Sequence, residues 1–217
     1  MSEVIQELEL SNQQHTGEVS RREKRMSRRR REILEVAARL FSSVGYEETT
    51  LEMIADELGL SKPGLYYYIR SKEDVLVQLH GDVIQSIINR VQANISQQMT
   101  PDERLRRLIV AHTISLCSHP ARRILVLYRS HLFREQAQDV VVLRDQYQKI
   151  VEDIIAEGIQ QGIFHVSDAK MATFAVLGAL NWIPGWYSPD GPLSLEAVGE
   201  YFANILVGGL IKPTGSS

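Results

Sequence analysis

The residues best suited to chemistry in this chain crowd into one short stretch: Ser61, Lys62, Gly64, Tyr66, Tyr67, Tyr68 and Lys72. Hydroxyl, ammonium and phenol groups, with little apolar company except Leu65 and Ile69, make a surface that binds a phosphate-lined groove. A helical hairpin with half-buried tyrosines is the alternative, but three adjacent aromatics cannot share one helix face, so some must meet solvent or a partner. Catalytic constellations are missing from the sequence. It has no glycine-rich phosphate loop, no Cys/His set at metal-ligand spacing and no nucleophile elbow, and its six histidines include no i, i+4 pair. Glu47-Glu48 and Glu152-Asp153 are sequence neighbours on helical or turn segments, so they diverge. The expected chemistry is binding, with no catalysis, metal or cofactor.

The elements that position this stretch can be read around it. Leu51, Ile54, Ala55 and Leu58 fall at i, i+3, i+4 and i+7, one apolar stripe on a short helix with Thr50 as its N-cap. Gly59 can take the left-handed conformation that closes a helix, Leu60 plugs the corner, and Ser61 caps a second helix with Pro63 in its first turn. Two helices joined this way form a helix-turn-helix. A preceding helix from about Arg28 to Val44 turns Ile33, Val36, Ala37, Leu40 and Phe41 inward and ends at Gly45. Ser71 caps a long fourth helix, in whose first turn Glu73 and Asp74 suit the macrodipole and Lys72 does not. Helix-start N–H groups beside an ammonium form an anion site, so Lys72 is expected to hold a phosphate.

The charge distribution agrees. The chain has 217 residues, 44% hydrophobic composition and a formal net charge of -3, enough for one large domain or two small ones. From Ser20 to Lys72, however, there are 12 Lys+Arg against eight Asp+Glu. The run SRREKRMSRRRR precedes the helix-turn-helix directly, where it can touch phosphates or enter the minor groove, or can simply be a solvated helix start. Residues 1–27 are polar, with one short apolar stretch and no sustained periodicity, and are expected to be a mostly disordered basic arm. The single cysteine, Cys117, excludes an intrachain disulfide and fits a reducing cytoplasm. No apolar run is long enough to span a membrane and no charged-then-apolar leader begins the chain, so a cytoplasmic location is expected.

Downstream the apolar residues repeat at helical spacing. The fourth helix carries Val75, Leu76, Leu79, Val83, Ile84, Ile87, Ile88 and Val91 to about Met99. Thr100, Pro101 and Glu103 start a fifth, with His112 and Cys117 on its apolar side. A sixth is expected around Ala121 to Phe133, a seventh around Ala137 to Gln161, an eighth from its cap Asp168 to about Trp182, and a ninth from Ser194 to near Gly208 and Gly209. Ile163 to Val166 is too short to matter as a strand, and no fixed-period repeat suggests a solenoid. The expected fold is all-α with about nine helices. The last two, containing MATFAVLGALNWI and YFANILVGGLI, are apolar nearly all round and must be buried on more than one side. They lie either at the centre of a monomer or, the expectation preferred here, against their copies in a two-fold dimer.

Arg29 to Leu79 resembles the DNA-binding domain of the TetR family of bacterial transcriptional regulators. Ile33, Ala37, Leu40, Phe41, Gly45, Thr50, Ile54, Ala55, Ser61, Lys62, Leu65, Tyr66, Ser71, Lys72 and Glu73 carry the resemblance. Ile69 stands where the family usually has Phe, an exchange that alters packing more than DNA contact. The resemblance implies a DNA-binding domain at 28–72, a helical ligand-binding and dimerisation domain at 73–217, and a homodimer through the last two helices. It further implies a repressor released from a palindromic operator by a small-molecule effector. The DNA-binding set is then Thr50, Ser61, Lys62, Gly64, Tyr66, Tyr67, Tyr68 and Lys72.

The segment from Asn181 to Leu210 looks like that of TetR-type regulators of fatty-acid, phenylacetate and steroid catabolism that respond to coenzyme A thioesters. An acyl-CoA needs an apolar slot and cations for its phosphates. Arg122, Arg123 and Arg129 follow the helix break at His119-Pro120 and could supply those cations, or could be surface arginines. Tyr128, Asn181, Trp182 and Trp186 complete the expected ligand set. Two alternatives stay open: a helical DNA-binding protein without an effector, and a TetR-type regulator that senses an apolar drug-like molecule.

Overall fold

Eight helices are present among the described residues of the structure, a computed structural model that describes residues 2–120, 122 and 138–211, with side chains from Glu23 onward. They are α1 (Ser2–Ser43), α2 (Leu51–Glu57), α3 (Lys62–Tyr66), α4 (Lys72–Asn94), α5 (Pro101–Ser118), α6 (Gln138–Gln160), α7 (Ala169–Trp186) and α8 (Leu195–Leu210). The helix expected around Ala121 to Phe133 lies outside the described residues, apart from Arg122.

Local side-chain hydrogen bonds set most of the helix starts. Thr50 accepts from the Met53 N–H at 3.2 Å, Ser61 from Gly64 at 3.3 Å, Ser71 from Asp74 at 3.2 Å and Ser194 from Ala197 at 3.2 Å. Asp168 accepts from the N–H groups of Lys170 and Met171 at 2.8 and 3.0 Å. Each cap satisfies a donor that the first helical turn leaves unpaired. Glu103 Oε2 accepts from the Thr100 N–H at 3.0 Å, the reciprocal arm of a capping box. Gly59 closes α2 at φ +62°, and the Leu60 N–H returns to the Ala55 carbonyl at 2.9 Å. A side chain at Gly59 would strain that left-handed turn.

Three boundaries differ from the sequence reading. The first helix begins at Ser2, so the segment expected as a disordered arm is helical. It is rich in Glu, Gln and Arg and holds no proline, and good helix formers continue a neighbouring helix without an apolar stripe of their own. The fourth helix stops at Asn94, where Ile95 turns extended, and not at Met99. Finally, α7 runs past Trp182 to Trp186 with Pro184 inside it. So near the helix end the ring costs one backbone bond, and the last turn closes through the Tyr187 N–H to the Ile183 carbonyl at 2.9 Å.

One buried apolar cluster runs through all eight helices. Ile33, Phe41, Ile54, Leu65 and Ile69 form its part under the helix-turn-helix, and Leu65 and Ile69 anchor the five-residue α3. Helix α4 packs on α1, α5 and α6, while α5 is enclosed by α4, α6, α7 and α8. Gly199 lets α8 approach α5 closely, since a Cβ there would lie 3.0 Å from the Val110 Cα. The Ile163 to Val166 segment makes a single antiparallel bridge, Phe164 to Ile211, with the His165 N–H on the Leu210 carbonyl at 2.7 Å.

Candidate nucleic-acid interface and effector site

Because Leu65 and Ile69 point inward, the other side of α3 and the turn after it face solvent. Ser61, Lys62, Tyr66 and Tyr67 are exposed, Gly64 is partly covered, and Tyr68 packs half-buried against the core. The rings of Tyr67 and Tyr68 meet edge to face at 5.2 Å, so Tyr68 steadies its neighbour and only two of the three phenols present themselves outward. Thr50 is exposed at the start of α2. Lys62 makes an ion pair with Glu52 in the first turn of α2. The bond from Lys62 holds the Glu52 carboxyl below its usual range, and the same bond raises the Lys62 ammonium.

Three cations that the sequence offered to phosphates bond the protein itself. Lys72 Nζ donates to the carbonyls of Tyr46 and Glu47 at 2.7 and 3.0 Å and sits 4.8 Å from the Tyr46 ring centre. It thereby pins the turn that leads into α2. The misplaced charge at the α4 start is offset by two carbonyls and an aromatic face. Arg29 donates to the Leu58 carbonyl at 3.1 Å and to Glu32 at 2.7 Å, and Arg30 donates to the Tyr68 carbonyl at 3.3 Å. These carbonyls end α2 and α3, where helix dipoles favour positive charge. Sequence spacing gives no sign of such bonds, which join residues 29 and 38 positions apart.

Of the expected effector residues four are described, and the two tryptophans among them face outward. Trp182 is 63% exposed and Trp186 48%, on the same face of α7 as Met171 and Phe174. Beside them α8 exposes Tyr201 at 61% and Ile205 at 69%, and Trp186 stacks on Phe202 at 6.1 Å. That face is apolar and continuous across two helices, so the tryptophans belong to a surface and not to an interior slot. Asn181 is half-buried. Arg123, Tyr128 and Arg129 lie outside the described residues, while Arg122 buries a guanidinium Nε that has no partner among the described residues.

Two other features lie away from α3. A cleft of about 730 Å³ opens between α1 and α4, lined by Arg31, Glu35, Asp82, Asn89, Arg90 and His119 among others. Burial raises the Asp82 carboxyl there, against the lowering pull of Arg31 and Arg30. Near it Ser42 Oγ donates to the Pro120 carbonyl at 2.9 Å, joining α1 to the end of α5. Deeper in, Arg104 is 4% exposed but already paired, with Glu157 at 2.5 Å and Gln97 at 3.2 Å, so it is not a free cation for a ligand phosphate. His112 is fully enclosed and meets the Tyr147 hydroxyl at 2.9 Å through Nδ1. Burial pushes the imidazole down to about 4, the Tyr147 phenol up, and the Cys117 thiol up to about 11. A thiol so disposed is a packing group, not a nucleophile. Among the described residues no group of acidic, His and Cys side chains could hold a metal ion.

Family models described as bacterial regulatory proteins of the tetR family and as a tetracyclin repressor-like C-terminal domain match residues 33–79 and 98–210. The HTH-type transcriptional repressor KstR2 of Mycolicibacterium smegmatis is 29% identical over 190 residues, spanning 86% of this chain and 93% of that protein. The TetR family transcriptional regulator PfmR from Thermus thermophilus superposes with a TM-score of 0.73 at 31% identity, over 83% of this chain and 99% of that one. AibR in complex with isovaleryl coenzyme A and operator DNA superposes with a TM-score of 0.68 at 30% identity, over 84% and 98% of the two chains.

Proposed function

The chain belongs to the TetR family of bacterial transcriptional regulators, and on that premise we propose a homodimeric repressor that releases a palindromic operator when a coenzyme A thioester binds. It is a DNA-binding regulator and not an enzyme, as its family and relatives are. The observation that carries the DNA half of the proposal is the exposed, donor-rich face of an α3 anchored by Leu65 and Ile69. Lys62 and Gly64, at the start of α3, lie nearest the base edges. Thr50, Ser61, Tyr66 and Tyr67 grip phosphates, with Tyr68 and Lys72 holding the geometry from behind.

The effector half rests on the likeness to AibR, which was solved with isovaleryl coenzyme A and operator DNA. Residues 28–72 then bind DNA and 73–217 bind the effector and the second subunit. Arg122, with Arg123 and Arg129, supplies cations for the coenzyme A phosphates, and Asn181 lies beside the acyl part. Trp182 and Trp186 pass to the subunit interface, where the apolar face of α7 and α8 meets its copy. No helix among the described residues is long and apolar enough to cross a membrane, and a DNA-binding regulator works in the cytoplasm.

A two-fold dimer meets half-sites on one face of the duplex, about 34–36 Å per helical turn apart. Footprinting on the DNA upstream of its own gene, with and without octanoyl coenzyme A and its shorter and longer homologues, tests the reading. Two protected half-sites that open on adding a thioester are expected. Protection of one half-site would remove the dimer, and protection unmoved by every thioester would remove the effector.

A further inference from the structure

Buried polar groups need partners, and beyond the ion-paired Arg104 two side chains on α5 leave an atom without one among the described residues. Among the described residues the Nε2 of His112 and the Oγ of Ser115 are buried without a hydrogen bond. They are three positions apart, on one face of the helix, and His119 continues that face one turn further on. Thr113 differs, since its hydroxyl is satisfied by the Ile109 carbonyl at 2.9 Å. Leu108, Ile109 and Leu116, about one turn away from His112 on α5, belong to the buried apolar cluster.

The proton positions follow from counting donors. If the Tyr147 hydroxyl donates to His112 Nδ1, both of those atoms are satisfied and one N–H, at Nε2, is left over. If Nδ1 instead donated to Tyr147, the phenol proton and the Nε2 lone pair would both be stranded in the core. The first arrangement strands fewer groups, and burial, which keeps the phenol protonated and the imidazole uncharged, favours it. What remains is an uncharged donor in an apolar surround, beside a free hydroxyl.

We propose that His112 Nε2–H and Ser115 Oγ form the polar end of the effector site and receive the carbonyl oxygen of an acyl ligand lying along α5. An uncharged imidazole gives no electrostatic reward to a carboxylate or a phosphate, so the oxygen it selects is that of an ester, thioester or ketone. A ligand on this stripe would run toward His119-Pro120, the segment whose carbonyl holds Ser42 of α1. The proposal rests on the effector-responsive reading given above and names the chemistry of that site.

The test is made on the ligand, so it needs no variant to fold. Calorimetry on the full chain compares butanoyl, octanoyl and dodecanoyl coenzyme A with the matching S-alkyl thioethers, which lack only the carbonyl. The best thioester should bind about tenfold tighter than its thioether. His112→Phe should bring the two within about twofold, and Tyr147→Phe, which frees the tautomer, should narrow the gap less. Acyl thioesters of N-acetylcysteamine, which keep the carbonyl and drop the nucleotide, form a second series alongside their own thioethers. Equal affinity for thioester and thioether in the unaltered protein overturns the carbonyl site and leaves the effector reading standing. Carbonyl-dependent binding of the short series, with no gain from the nucleotide, supports the site and removes coenzyme A from the effector. Failure of both series to bind overturns both.

Discussion

In the free protein Lys62 is held by Glu52, so DNA must compete with a carboxylate for it. Glu52→Gln should therefore tighten operator and random DNA alike, while Lys62→Ala should cost operator binding about 1–3 kcal/mol; fluorescence anisotropy at fixed salt measures both. Lys72 is a different case, because its bonds go to the Tyr46 and Glu47 carbonyls. Lys72→Ala should lower stability by about 1 kcal/mol, because the part-buried Tyr46 carbonyl loses its donor, and leave the salt slope of DNA binding unchanged. A slope reduced by about one would show that it also meets a phosphate. His112 makes stability depend on acid. Its folded value, about 4, lies below the ordinary 6.5, so between these values the unfolded chain takes up more protons and stability decreases as the pH is lowered. The loss is absent above 6.5, complete below about 4 and worth up to about 3 kcal/mol. Thermal melts from neutral pH to about 4 should show it, and His112→Phe should flatten the decline. His119, also lowered to about 4 by burial, adds in the same direction. The outward position of Ser61, Lys62 and Tyr66 was legible in the sequence because local helix spacing sets it. The bonds of Lys72 and His112 were not, since their partners stand 26 and 35 positions away.

Helices differ in how much of themselves they reveal. The caps Thr50, Ser61, Ser71, Asp168 and Ser194 could be read directly, because each hydrogen bond closes within three residues. For α7 and α8 the pattern fails for a physical reason: when every face is apolar, periodicity cannot say which one looks outward. The structure turns Phe174, Trp182, Tyr201 and Ile205 out, and at that surface the proposed dimer is most open to attack. Ile205→Arg should leave the monomer folded, since this side chain is 69% exposed, yet prevent dimerisation. Operator affinity should then drop by at least about 100-fold as the second half-site is lost. Sedimentation velocity and anisotropy on the same preparation would show it, and a dimer of unchanged affinity would move the interface elsewhere. Packing between α6 and the segment after it is tighter. A methyl at Gly158 would run into the ring of the buried Phe164, so Gly158→Ala should destabilise by about 1–3 kcal/mol in chemical denaturation.

At the scale of the whole molecule, the proposed release of DNA is a coupling between two sites, and coupling is reciprocal. An effector that weakens operator binding must itself bind more weakly to the operator complex by the same factor, typically 1–3 kcal/mol. Calorimetry of octanoyl coenzyme A with and without operator should find that difference, and equal affinities would exclude this ligand as the releasing agent. The route by which the sites speak was only half visible beforehand. The apolar stripe of α4 announced a long connecting helix, but nothing in the spacing of Ser42 and Pro120, 78 positions apart, announced that α1 is also tied to the end of α5. A hydrogen bond of that kind, at an exposed site, is worth about 1 kcal/mol and is therefore open in roughly one molecule in six. Beyond the packing of α1 on α4, then, the tether on the DNA-reading head is one that heat alone undoes. The free protein should exchange between tethered and untethered orientations on the microsecond-to-millisecond scale of domain motions. Relaxation dispersion at the Ser42 and Arg122 amides would register that exchange before any effector is added, and an effector would then select an orientation that already exists.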